Sequence, residues 1–543
     1  MKRGNPGGNA GGTPGATPGG TPGSTSDTDM MQVPVLIIGA GACGLIAALR
    51  LAQAGIETVL IERDAAPSGS SALSSGFIPA AGSAVQRAAG IADDAARFAA
   101  DIQAKAHGTA APHLVAAYTD AAAPAMDMLA RHGLAFDVLD GFLYPGHSAR
   151  RMHALPERTG VALVTALERA ATGAGAHLLT RALAREIWVE DAGGIRGDWN
   201  NSGGNSSDGN SSDGNSSDGN SSDGNNSSGN NCGRITAVGC ERPDGSVDVI
   251  GCQVLILACN GFGGNAAMVA EHLPAMREAV YGGHVGNDGS AIEWGRALGA
   301  RLADLGAYQG HGSWATPQGA LISWAVMMDG GVQINRDGLR FHDETQGYSE
   351  AAVHVLAQPG GVAWNVFDDR TLALARGFPD FVAAEAGHAV KTCADVPALA
   401  ALIGCDAGVL QQTLHGVGPA GVDSQGVDLQ GVAPHGGASH VVDPHGRRFE
   451  RTLQAPYHAV KVTGALFHTQ GGLDIDAQCR VLNRDGQALP NLLAAGGAAR
   501  GVSGNDVSGY LSGNGLLSAV AGGYIAAATA AALLGHELGQ ESP

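Results

Sequence analysis

VPVLIIGAGACGLIAALRLAQAGIETVLIERD, residues 33–64, is the stretch on which the fold turns. Val35 to Ile38 is an unbroken apolar run, the pattern of a parallel strand buried on both faces. Gly39, Gly41 and Gly44 follow at G-x-G-x-x-G spacing, and Leu45 to Ala54 is apolar and alanine-rich enough for a helix. A second strand, ETVLIE, ends in Glu62, 18 residues after Gly44. The glycines permit a tight turn, admit backbone N–H groups to a pyrophosphate, and let helix and strand pack closely. Glu62 is placed to accept hydrogen bonds from a ribose diol. Strand, glycines, helix, strand and acid in this order predict a dinucleotide site; the competing reading is a glycine-rich turn without ligand.

The residues downstream separate two kinds of dinucleotide. RDAAPSGSSALSSGFIPAAGS follows the acid directly, a loop of small residues rich in Ser and Gly. Such a loop suits a cofactor that continues past its pyrophosphate into a ribityl chain and a flavin. Further on, VLILACNGFGGN (254–265) is another strand running into a glycine turn. Near the C-terminus, LPNLLAAGGAARGVSG precedes YLSGNGLLSAVAGGYIAAATAAALL, a small-residue helix whose first amides can face an anion or a carbonyl oxygen.

A chain of 543 residues with 44% apolar and 15% charged residues has material for more than one domain. A formal charge of −19 argues against a nucleic-acid partner or an anionic membrane surface, since either calls for a Lys/Arg-rich face. Eight cysteines are scattered without CxxC, CxxCH or tight Cys/His spacing, so no metal is expected and reduced thiols of a cytoplasmic protein are. Residues 1–30, rich in Gly, Pro, Ser and Thr, read as a disordered tail, with no apolar run for a signal peptide or anchor. A second low-complexity block within 200–231 repeats SSDG between two strand-like flanks and reads as an expanded hairpin loop. Calcium binding by its aspartates is the weaker reading, because it lacks a bidentate Glu and a nine-residue period.

GAGACG with Glu62, SGSSALSSG, ACNGFGGN, GNDGSAIEWGRALGA, GGVQINRDGLRFHDE, FHTQGGLDID and LLAAGGAARGVSG with YLSGNGL run in one order from residue 33 to about 533. That order resembles the FAD-binding flavoproteins that include soluble fumarate reductases, succinate dehydrogenase flavoprotein subunits and ketosteroid dehydrogenases. The resemblance implies an α/β fold: a Rossmann-like, glutathione-reductase-type FAD-binding domain interrupted by an α+β capping domain. Its expected bounds are 31–275 and 456–535 for the FAD-binding domain, 276–455 for the cap and 536–543 for a tail. FAD is the implied cofactor, held by Gly39, Ala40, Gly41, Cys43, Gly44, Glu62, Arg63, Ser70, Ser71, Ser75 and Gly76. Further on, Ala182, Ala258, Asn260, Gly261, Asp288, Gly496, Gly515, Leu516 and Leu517 carry over. Gly497 stands where relatives often have Glu, and SGSSALSSG lacks the histidine of covalent-flavin members, so non-covalent FAD is expected.

The same resemblance exposes a departure. Where fumarate reductases place a proton-delivering arginine this chain has Tyr348, and where they place a carboxylate-binding arginine it has Tyr510. A Thr-Glu pair and a following Arg read here as Ser323, Trp324 and Met327, while His311 and His468 are retained. Tyrosine cannot supply the bidentate charge of an Arg fork, so a dicarboxylate is a poor substrate. Two phenols suit a neutral ketone: Tyr510 donates to the carbonyl, and Tyr348, with its pKa lowered, removes a proton next to it. The preferred expectation is α,β-dehydrogenation of a cyclic or steroid-like ketone, with Tyr348, Tyr510, His468 and His311 as the catalytic set and Arg500 available for a lone carboxylate. An ene-reductase acting on an enone or unsaturated monocarboxylate and a flavin-binding protein without catalysis are the alternatives. Arg340 reads as an ion pair. The partners are a small-molecule substrate and an electron acceptor or donor that no haem, iron–sulfur or FMN segment names.

Overall fold

The computed structural model describes residues 30–140, 143–190, 193–196, 233–415, 444–449 and 451–538. The expected tail at 1–29, the repeat loop at 200–231 and the last residues from 539 lie outside them. β1 (Met31–Ile38) runs into α1 (Ala42–Gln53), and β2 (Thr58–Ile61) follows. Val35, Leu36 and Ile37 are fully buried, as a continuous apolar run requires of a central strand.

β3 (His177–Leu179) extends this sheet beyond β2, and β4 (Leu183–Val189), β5 (Ile235–Glu241) and β6 (Val247–Leu257) complete it. β3, β2, β1 and the second half of β6 are parallel neighbours, joined at β6 by the strand Ala488–Ala494. The first half of β6 pairs antiparallel with β5, which pairs with β4. A single long strand therefore belongs to a parallel nucleotide-binding layer at one end and to an antiparallel meander at the other.

Glycine at 44 is imposed by packing. A Cβ there would stand 2.0 Å from the Gly39 carbonyl oxygen, and Gly39 itself has φ +102 with its own Cβ position 2.6 Å from the Ala258 carbonyl. Gly44→Ala therefore has to push α1 away from the β1 turn. We expect a loss of about 1–3 kcal/mol of stability, read by urea unfolding, together with loss of bound flavin on gel filtration.

The second layer is a mixed sheet over the first. β7 (Tyr308–Ala315), β8 (Val362–Asp368) and β9 (Tyr457–Thr469) form its centre, with β9 between the other two. Residues 457–469, just past the expected boundary at 456, pair within this second sheet, and the strand Ala488–Ala494 belongs to the first. Composition marks β9 as a strand but carries no information on its partners, which come from residues far away in sequence. Below this sheet, Glu344 is buried between Arg340 and Arg447, with Nη–Oε2 distances of 2.6 and 2.8 Å. Burial pushes its carboxyl up, but the two guanidinium groups more than reverse that and hold it at about 2. Arg340 is an ion pair, as its sequence context indicated.

α2 (Tyr348–Leu356) packs on β7 and β9, and α3 (Asn514–Leu533) packs on α1 and on the helix Pro112–Arg131. α3 is apolar and long enough to cross a membrane, but 61% of its most apolar window is buried inside the protein, the position of a core helix.

Candidate active site

A cleft of ≈ 2110 Å³, its open mouth included, runs from the carboxyl ends of β1, β2 and β6 to the cap. Its lining includes Gly39 and Gly41 of the glycine turn, Asn260, and Tyr348 and Tyr510, so the nucleotide end and the aromatic end share one cleft. The position is the one where doubly wound sheets hold their ligands.

At the nucleotide end, Gly41 caps α1 without a side-chain bond, and a Cβ on it would meet only Ser71 Oγ, at 3.5 Å. The turn is open toward the cleft where a phosphate needs to approach backbone amides. Glu62 is 8% exposed and is aimed by two amides, Ala40 N donating to Oε2 and Asp64 N to Oε1, both at 3.0 Å. Burial raises its carboxyl pKa against the pull of these donors. Ser518 Oγ, on the first turns of α3, is buried and unpartnered and lines the cleft. An open glycine turn, an oriented acid and an orphaned hydroxyl all fit a flavin dinucleotide.

Of the residues carried over for FAD, Gly39, Gly41, Cys43, Glu62, Arg63, Ser70, Ser71, Ser75, Ala182, Ala258, Asn260, Asp288, Gly496, Gly515 and Leu516 line this cleft. The remaining five do not. Ala40 orients Glu62, and Gly44 and Leu517 are packing residues. Gly76, at φ +72, lies against the Thr159 carbonyl, and Gly261 against Thr469 Oγ1. Asp288 is partly committed elsewhere, pairing with Arg63 at 3.3 Å and accepting from Ser290 N at 3.1 Å. The glycine at 497 also has an explanation: its Cβ would lie 1.9 Å from Asn260 Oδ1. Asn260, held at φ +67, fills the space a longer side chain at 497 would take and puts an amide there in its place.

At the other end the four expected catalytic side chains come together. His311 stacks on Tyr348, with ring centroids 4.8 Å apart and planes 21° apart. Tyr348 meets Tyr510 edge to face at 6.1 Å, and Tyr510 meets His468 at 5.8 Å. Tyr510 donates to Gln309 Oε1 at 3.1 Å. α3 begins with Gly513 at φ +88 and no side-chain cap, and the Gly513 and Gly515 amides donate toward the phenol oxygens. Both histidines are neutral: burial pushes His468 down to about 4 and His311 to about 3. The His311 Nδ1 accepts from Ser313 N at 3.1 Å, which leaves the proton on Nε2.

One expectation is reversed. Tyr348 has a pKa raised rather than lowered, because burial pushes it up to about 12 against the Ser512 and Tyr510 hydroxyls and the Gly513 amide that pull it down. Tyr510 is raised further still, by burial and then by the nearby Tyr348 charge. A second expectation fails by geometry. Arg500 does not line the cleft; its Nε donates to Asp304 Oδ2 at 2.5 Å and its Nη1 to Asp474 Oδ1 at 3.4 Å.

Sequence reasoning passed over Gln309, Ser512, Tyr144 and Arg158, all of which line the cleft. Gln309 had a usable signal, since on a strand the residue two before His311 shares its face.

The sequence profile of the FAD binding domain family matches residues 34–516. The chain belongs to that family. Over 491 residues it is 24% identical to NADH:fumarate oxidoreductase of Klebsiella pneumoniae, a match covering 89% of this chain and 46% of the relative. This FAD-binding chain thus spans under half of that relative's length. Over 284 residues it is 28% identical to 4-oxocyclohex-2-ene-1-carboxylate 5-dehydrogenase of Sinomonas cyclohexanicum, covering 47% of each. Among solved structures it is similar to a flavocytochrome c3 fumarate reductase in its open conformation, with TM-score 0.70 and 23% identity over 93% of this chain and 78% of that one. It is also similar to the 3-ketosteroid-Δ4-(5α)-dehydrogenase of Rhodococcus jostii, with TM-score 0.65 and 20% identity over 93% and 98%. Membership makes the chain an FAD-binding flavoprotein, and the proteins to which it is similar include fumarate reductases and ketosteroid dehydrogenases.

Proposed function

We propose that the protein dehydrogenates the Cα–Cβ bond next to the carbonyl of a cyclic ketone. The observation that carries this reading is the pair of buried phenols at the uncapped start of α3, with neutral histidines on either side. No pair of buried arginines accompanies them among the described residues: of the two arginines lining the cleft, Arg63 is tied to Asp288 and Arg158 is exposed. A dicarboxylate would enter this aromatic end without compensating charge.

The two phenols divide the work by their electrostatics. The neighbouring Tyr510 hydroxyl lowers Tyr348 while Tyr348 raises Tyr510, so Tyr348 is the first to ionise and Tyr510 keeps its proton. Tyr510 donates to the substrate carbonyl and, with the first amides of α3, stabilises the developing enolate. Tyr348 takes the proton from the adjacent carbon, steadied by Ser512. His311 stacks under Tyr348 and His468 stands against Tyr510, each too weakly basic to compete for that proton. Bound non-covalently, FAD would supply the hydride acceptor, and the α1 amides, Glu62, Ser70, Asn260 and the start of α3 would hold it. Trp324 and Phe467 meet the His311 ring edge to face and give the aromatic end an apolar wall.

Anaerobic mixing of the holoprotein with cyclic ketones, ketosteroids and succinate tests the reading. Ketones are expected to bleach the flavin. Bleaching by succinate ahead of every ketone would sink it and favour the reductase direction.

A further inference from the structure

Arg158 is a cleft-lining cation without an ion-pair partner among the described residues. It lines the cleft, is exposed, and among the described residues forms no side-chain hydrogen bond or ion pair. Its mounting is rigid. Arg158 sits at φ +52, in the left-handed region that non-glycine residues enter at a cost, and its amide closes a turn on the Leu155 carbonyl at 2.9 Å. The two residues after it are clamped to the segment that carries Ser70 and Ser71. Gly160 N donates to Ser74 O at 2.7 Å, and a Cβ at 160 would stand 2.1 Å from the Ser71 carbonyl. Gly76 presses on the Thr159 carbonyl from the other side. An arginine on a flexible surface loop needs no such anchoring.

Its charge reaches the aromatic end. The guanidinium opposes the burial that raises Tyr144, and Tyr144 in turn lies within electrostatic reach of Tyr348. The space between is lined by Phe77, Tyr144, Met152 and Phe378, apolar side chains suited to a ring. The other charged side chain at this end is Asp380, which accepts from Ser75 Oγ at 3.5 Å and is pushed toward the neutral form by burial.

Resting on the ketone reading above, we infer that Arg158 is the anion-recognition group of the cleft, so that the substrate is a cyclic ketone carrying a carboxylate. The ring lies across the aromatic wall, with its carbonyl on Tyr510 and its carboxylate on the Arg158 fork. One guanidinium fits a monocarboxylate and does not supply the doubly clamped geometry a dicarboxylate calls for.

The test uses the flavin-loaded protein and two nearly isosteric probes, 4-oxocyclohexanecarboxylate and its methyl ester, with anaerobic flavin bleaching as the readout. The ratio of kcat/KM for acid over ester is expected to favour the acid in the native protein and to fall about 10- to 100-fold in Arg158→Gln, mostly through KM. Arg158→Lys, which keeps the charge and loses the fork, should give an intermediate ratio. An unchanged ratio overturns the inference while leaving the ketone reading standing. So does an equal loss on both probes, which would assign Arg158 to a lock with Asp380 rather than to substrate. Bleaching by neither ketone overturns the ketone reading, and this inference with it.

Discussion

Tyr348→Phe is expected to lower kcat on a cyclic ketone by about 10²- to 10⁴-fold, the usual worth of a positioned general base. The pH profile gives the more specific signature. With the phenol near 12, a fraction on the order of 10⁻⁵ is ionised at pH 7. The active form is the deprotonated one, so activity rises with pH and has no plateau below the phenol's own pKa. In the native protein log(kcat/KM) should climb by about one per pH unit from roughly pH 7 to 10, and Tyr348→Phe should flatten that climb. The substitution removes only a hydroxyl from a side chain that is 8% exposed, so the fold should survive at a cost of about 1 kcal/mol. A native profile flat over this range, with a loss under about tenfold on substitution, would take the base role away from Tyr348.

The nucleotide half of this site is readable because its signals are local. Gly39, Gly41, Gly44 and Glu62 lie within one β–α–β unit; Gly39 and Gly44 have a steric reason visible in that unit or one strand away, and Gly41 leaves the turn open toward the cleft. The four aromatic residues of the other half came from family order rather than from pattern, and the structure brings them together. What the sequence hides is everything decided by distant partners. Arg500 looks available until Asp304, 196 residues away, is placed beside it. β9 looks like a returning strand of the first layer until β7 and β8 flank it. The direction of the Tyr348 shift is hidden for the same reason: two phenols suggest an activated pair, but burial, which sequence does not report, outweighs the three donors around the oxygen. Arg158 is the converse case, an ordinary arginine in a turn until its lack of partners and its anchored backbone are seen together.

Tyr510→Phe is expected to cost about 10²- to 10³-fold in kcat, the scale of one oxyanion donor, with KM for the ketone little changed. The hydroxyl is made for a developing charge. It donates to Gln309 now, and burial together with the neighbouring Tyr348 holds its proton firmly. Once it is removed, the α3 amides remain, so the carbonyl is still bound in its ground state and the loss falls on the transition state. Two further consequences separate this variant from Tyr348→Phe. The rise of activity with pH persists, because the base is intact, and it extends to higher pH, because Tyr510 no longer helps to lower Tyr348. Stability falls by about 1 kcal/mol as Gln309 Oε1 loses its donor, which a thermal unfolding curve will show. A loss confined to KM would instead make Tyr510 a binding residue equally engaged with substrate and transition state. In that event the α3 amides alone would stabilise the enolate, and the phenol would have replaced an arginine at this turn for shape rather than for proton donation.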